Sequence, residues 1–72
     1  METIDKQELK NKYHALFYHK VQELTIKRKN LLINQNTMAF HCDVSLKTIQ
    51  NFENYKSTDA FLLYAYKKIL ND

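Results

Sequence analysis

The chain has 72 residues, a formal charge of +3, no glycine, no proline and a single cysteine, Cys42. A chain this short makes one small domain, and such domains bury only about 60% of the surface their unfolded chains expose, so a support such as oligomerisation is expected. One cysteine excludes an internal disulfide and suits a reducing compartment, while the lack of glycine and proline argues against hairpins and tight sheet corners, which lean on both.

What remains is an all-α fold, with Asn and Ser carrying the turns. The apolar content of 44% is that of a globular chain. No apolar run approaches the ~18 residues of a membrane span, and the opening METIDKQELK lacks a signal-peptide pattern. The expectation is a cytoplasmic protein with no membrane segment.

In chain order, Thr3 or Asp5 can cap a first helix, with Glu8 three residues after Asp5 as in a capping box. Leu9, Tyr13, Leu16, Phe17, Val21, Leu24 and Leu31 then recur at helical spacing and predict a long amphipathic helix over 5–30. Lys20 interrupts the apolar stripe, so either its stem snorkels or the helix bends there. Lys27, Arg28 and Lys29 suit the negative end of the helix dipole. Asn30 is the expected stop, because Asn tolerates the left-handed conformation. Leu31, Leu32 and Ile33 read as a connector that plugs the core.

Asn34 is a good N-cap for a second helix, over 34–42, with Met38, Ala39 and Cys42 inward; a residue as small as Ala39 permits a close helix crossing. Asp43 makes the turn, Val44 is an expected buried plug, and Ser45 caps a third helix over 45–53. There Ile49 and Phe52 point inward, leaving Leu46, Lys47, Gln50 and Asn51 towards the outside. A polar loop follows. Ser57 or Thr58 is the expected cap of a last helix over 58–71, with Leu62, Ala65, Tyr66 and Ile69 as its core stripe. Phe61, Leu63 and Leu70 widen that stripe beyond one face, which suggests a second buried surface.

The charge is unevenly placed. Lys20, Lys27, Arg28, Lys29, Lys47 and Lys56 face only Glu23, Asp43 and Glu53 in the middle of the chain, and the remainder balances. A local basic excess is what a phosphate-facing surface requires, although an ordinary basic surface gives the same count.

From Ile33 to Asn54 the order Ile33-Asn34-Gln35, Met38-Ala39, Cys42, Val44-Ser45, Ile49, Phe52-Glu53-Asn54 resembles the Cro/repressor (xenobiotic-response-element) helix-turn-helix family of phage and bacterial regulators. Arg28 stands where many members carry an arginine that pairs with this glutamate, so Arg28 and Glu53 are an expected structural ion pair. The chain departs from the family where glycine is usual: Leu32 precedes the second helix, Asp43 is the turn and Tyr55 follows Glu53-Asn54. Its first helix is also much longer than the family needs.

The resemblance implies a lambda-repressor-like bundle of about four helices in one domain, 1–72. It implies a sequence-specific regulator of transcription, such as a small phage or mobile-element repressor, bound as a homodimer to operator DNA. The third helix would enter the major groove. Leu46 would touch a thymine methyl, Lys47 guanine O6 and N7, and Gln50 or Asn51 adenine, with Thr48 nearer the backbone. Asn34 and Gln35 on one flank, and Asn54 and Lys56 on the other, would hold phosphates. Candidate dimer surfaces are Phe61 with Leu63, or Leu9 with Tyr13 and Leu16.

Plainer readings exist for each residue: Leu46 as core, Lys47 and Lys56 as solvated lysines, Gln50 and Asn51 as surface polars. The rival function is a protein-binding helical module, antirepressor-like or antitoxin-like, that keeps the fold without touching DNA. Neither a metal site nor a cofactor is expected, because His14, His19, His41 and Cys42 lack the paired spacing of zinc ligands. No glycine-rich phosphate loop or nucleophile arrangement points to an enzyme.

Overall fold

Each helix begins on a side chain that accepts its free N–H groups. The computed structural model describes residues 5–72 as α1 (Lys6–Asn30), α2 (Gln35–Cys42), α3 (Leu46–Glu53) and α4 (Ala60–Ile69), with no strand among the described residues. Asp5 Oδ1 accepts from Gln7 N at 3.0 Å and Glu8 N at 3.3 Å; the other candidate, Thr3, lies outside the described residues. Asn34 Oδ1 accepts from Thr37 N at 2.8 Å, and Ser45 Oγ from Thr48 N at 3.2 Å. The cap of α4 is Asp59, not Ser57 or Thr58: its Oδ1 takes Phe61 N at 2.9 Å and Leu62 N at 3.3 Å. A carboxylate at that position also complements the helix dipole, which a hydroxyl does less well.

All four helices end the same way, and without glycine. Leu32, Asp43, Tyr55 and Asn71 have φ of 61°, 56°, 63° and 59°. At each end the next residue's N–H reaches back across the last turn: Ile33 N to Arg28 O, Val44 N to Ala39 O, Lys56 N to Asn51 O and Asp72 N to Lys67 O. The left-handed residue's own N–H closes the inner bond, to Lys29 O, Phe40 O, Phe52 O and Lys68 O respectively. This is the Schellman pairing, which satisfies carbonyls that a helix end otherwise leaves open. Asp43 and Asn71 tolerate the conformation; Leu32 and Tyr55 adopt it at a cost of roughly 1–2 kcal/mol.

Leu32, not Asn30, is therefore the residue that turns the chain out of α1. The turn throws its side chain into solvent, 92% exposed, and leaves Leu31 half exposed, so only Ile33 of the connector packs on the core. With no packing to lose, Leu32→Gly should raise stability by up to about 1 kcal/mol after the added flexibility of glycine is subtracted. Urea denaturation followed by circular dichroism measures it; a loss of stability would show that the side chain has a contact role.

The core is a single cluster of Phe17, Val21 and Leu24 from α1, Met38, Ala39 and Cys42 from α2, Ile49 and Phe52 from α3, and Leu62, Tyr66 and Leu70 at α4. Val44 is half-buried against it, not a full plug, as are Leu63, Ala65 and Ile69. Phe52 sits at the centre, edge-on to Phe17 at 6.2 Å and tilted against Tyr66 at 4.9 Å.

α1 outruns this cluster. Its apolar stripe is buried only from Phe17 onwards; Leu9, Tyr13 and Leu16 are 58%, 53% and 68% exposed. The helix is about 37 Å long, and its first three turns project as an arm. The radius of gyration is accordingly 14.0 Å, against about 11 Å for a compact chain of this length.

Lys20 interrupts the stripe without interrupting the helix. Its Nζ lies 2.6 Å from Asp72 Oδ2 and 3.3 Å from Glu23 Oε2, while Lys27 Nζ lies 3.7 Å from Asp72 Oδ1 and donates to the Asn71 carbonyl at 3.3 Å. The two lysines, seven residues apart, clip the end of α4 to α1. The Lys20 bond holds the Asp72 carboxyl below its ordinary pKa, and Asp72 in turn raises that of Lys20. The Asp72 contribution is thus present above the usual carboxylate range and lost as pH falls through the lowered value. Among the described residues no helix is long and apolar enough to cross a membrane.

Candidate nucleic-acid interface

One buried carboxylate fixes the relation of α2 to α3 and ties both to the rest. Glu53, the last residue of α3, receives Arg28 Nε on Oε2 and Arg28 Nη2 on Oε1, both at 2.8 Å. Gln35 Nε2 adds a bond to Oε1 at 3.1 Å, and the Tyr66 hydroxyl donates to Oε2 at 2.5 Å. A carboxylate has about four lone-pair positions, and here each meets a donor, from α1, α2 and α4. Arg28 Nη1 also donates to the Ile33 carbonyl at 2.7 Å, which fixes the entry to α2. Both charged side chains are buried.

Burial pushes the Tyr66 phenol well above its ordinary pKa, and the bond to Glu53 adds to the effect. The hydroxyl therefore stays a donor throughout the neutral range. Burial likewise raises the Cys42 thiol, which leaves it a small apolar core residue and not a nucleophile. Among the described residues no group of three His, Cys, Asp or Glu side chains comes together.

Outside this joint, α2 and α3 present the polar candidates. The link Asp43–Ser45 is short because Asp43 takes the left-handed turn and Ser45 restarts the helix. On α3, Ile49 and Phe52 face inward and fully buried. Leu46 and Lys47 are exposed at its start, and Thr48, Gln50 and Asn51 are half-buried. Leu46 is not among the core residues. The Thr48 hydroxyl is paired with Ser45 Oγ at 2.9 Å, so it serves the cap first. The Asn51 carbonyl belongs to the helix end, taking Lys56 N at 2.9 Å.

The flanking residues divide. Asn34 is exposed, its carbonyl oxygen shared between Thr37 N and Thr37 Oγ1 (2.9 Å), with its amide N–H groups unengaged among the described residues. Gln35 spends one amide N–H on Glu53 and retains the other. Asn54 and Lys56 are both exposed at the far end of α3.

The basic excess is smaller in space than in the sequence. Lys20 and Lys27 are paired with Asp72, and Arg28 with Glu53. Among the described residues Lys29, Lys47 and Lys56 make no ion pair, and Lys47 within α3 and Lys56 beyond its end are both exposed. Of the candidate dimer residues, Leu63 is half-buried against the core and Phe61 is exposed, whereas Leu9, Tyr13 and Leu16 are all exposed on the arm.

Two contributions lay outside what the sequence suggests. Gln35 reads as a phosphate ligand and Tyr66 as plain core, yet both close the shell of Glu53. The available signal was the tyrosine itself, since a buried phenol needs a hydrogen-bond partner. No protein-family model, curated protein or solved structure matches the chain.

Proposed function

We propose that the chain is a helix-turn-helix regulator that reads duplex DNA with α3 in the major groove. The observation that carries this reading is the outer side of α3. A helix anchored by Ile49, Phe52 and the Glu53 joint exposes Leu46 and Lys47 and leaves Gln50 and Asn51 half-exposed, with the exposed Asn54 and Lys56 following it. A lysine and amides on one helix suit the base edges of the groove. Asn34, the second N–H of Gln35, Asn54 and Lys56 suit phosphates and would set the register. The protein would act on an operator, as a phage or mobile-element repressor does.

Selection of bound fragments from random duplex DNA tests the reading. A recurrent motif whose affinity falls steeply between low and physiological salt supports it; recovery of no DNA at any salt sinks it. Within that assay, Lys47→Ala and Asn51→Ala should each lose about 1–3 kcal/mol on the preferred sequence and relax the preference at one position. Lys56→Ala should weaken all sequences alike. The reverse pattern would exchange the two roles.

A single short helix offers few base contacts, so a dimer on two half-sites is part of the proposal. The arm is the better dimer surface, because Leu63 is already partly spent on the core. The same exposed arm favours the second reading, a module that binds another protein through Leu9, Tyr13 and Leu16. That reading predicts a complex that survives high salt, where DNA binding fails.

A further inference from the structure

Resting on the DNA reading above, we propose that Tyr55 is a further phosphate-binding residue, set in place by Tyr18 of α1. Tyr55 occupies the left-handed position that ends α3, with φ 63°. Its ring stands edge-on to Tyr18, centroids 5.5 Å apart, and Tyr18 is itself edge-on to the buried Phe17 at 6.0 Å. The backbone around it is fixed from both sides, by Tyr55 N on Phe52 O and Lys56 N on Asn51 O. Tyr55 is nevertheless 44% exposed, and it lies between Asn54 and Lys56, both exposed.

Stability does not account for a tyrosine here. The gain from an aromatic pair and the cost of a left-handed non-glycine residue are of similar size and cancel. Asn or Gly would end the helix equally well, as Asn71 does for α4. What tyrosine adds is a phenol hydroxyl on the same exposed segment as Asn54 and Lys56. Neither the Tyr55 nor the Tyr18 hydroxyl has a hydrogen-bond partner among the described residues, whereas the buried Tyr66 hydroxyl does. An unengaged phenol O–H on a ring braced on one side by Tyr18 is a neutral donor suited to a phosphate oxygen. Asn54, Tyr55 and Lys56 then form one backbone clamp, with the neutral donors giving direction and the lysine giving charge.

Tyr55→Phe removes only the hydroxyl and keeps the ring, the pair with Tyr18 and the turn. Its affinity for DNA should fall about three- to tenfold, equally on preferred and unrelated sequences, while thermal stability stays that of the unaltered protein. Because the donor is uncharged, the slope of log affinity against log salt should not change, whereas Lys56→Ala should flatten it by about 0.9. Tyr18→Ala, which frees the ring, should reproduce the Tyr55→Phe loss. Unaltered affinity in Tyr55→Phe overturns the proposal, and so does a loss confined to some sequences. If the unaltered protein retains no DNA at all, the functional reading fails first and this proposal falls with it.

Discussion

Glu53→Ala is expected to lose about 3–5 kcal/mol of stability, because it strands a buried guanidinium and a buried phenol together. A domain of 72 residues has roughly 4–11 kcal/mol in all, so the variant should forfeit between about a quarter and the whole of it. The loss exceeds that of an ordinary ion pair because the carboxylate meets four donors, two from Arg28 and one each from Gln35 and Tyr66. Chemical denaturation by urea, followed in the far ultraviolet, gives the number. Removing the charges together should cost less: Arg28→Met, Glu53→Leu and Tyr66→Phe combined leave only the Gln35 amide, which can turn to water, and the part-buried Ile33 carbonyl without their partners. A Glu53→Ala variant within 1 kcal/mol of the unaltered protein would show that the helices are held by the apolar core alone.

Leu9→Lys with Leu16→Lys is expected to abolish the proposed dimer and, with it, about 10²–10⁴-fold of affinity for a two-site operator. The size follows from geometry. When two reading helices are joined, the second half-site is bound at an effective concentration set by the linkage, and separation forfeits that term. Both positions are exposed and make no core contact, so at dilutions where both proteins are monomeric the body should unfold at the same urea concentration. Sedimentation equilibrium reads the assembly and a gel shift the affinity. Phe61→Lys is the matched control on α4; if that substitution splits the dimer and the arm pair does not, the interface lies on α4.

Much of the architecture could be read from the residues. Asn34 and Ser45 cap the helices they precede, and the three- and four-residue spacing of Phe17, Val21, Leu24, Ile49 and Phe52 marks the faces that are buried. The failures share one cause: periodicity shows that a face is apolar, not what covers it. Leu9, Tyr13 and Leu16 continue the α1 stripe in sequence, but the other helices are too short to reach them. Leu32 reads as core because it is leucine, whereas the turn that ends α1 points it outwards. Lys20 could be understood only with Asp72 beside it, fifty-two positions away in the chain. Of the candidate interface, the exposure of Leu46 and Lys47 at the start of α3 was legible, whereas Gln50 and Asn51, read as outward, are half-buried. The second duty of Gln35 and the pairing of Tyr18 with Tyr55 needed three dimensions.

The clip formed by Lys20 and Lys27 on Asp72 bears on how binding experiments behave. It is made of solvent-accessible charges, and such pairs weaken as the Debye length shrinks from about 10 Å at 0.1 M towards 3 Å at 1 M salt. A salt titration therefore acts on two targets, the proposed phosphate contacts and the tether of the last helix. α4 carries Tyr66, so loosening it would reach the Glu53 joint and only then α3. Replacing Asp72 with Asn and repeating the titration separates the contributions: the part of the slope that persists belongs to the DNA, and the part that vanishes is the protein relaxing.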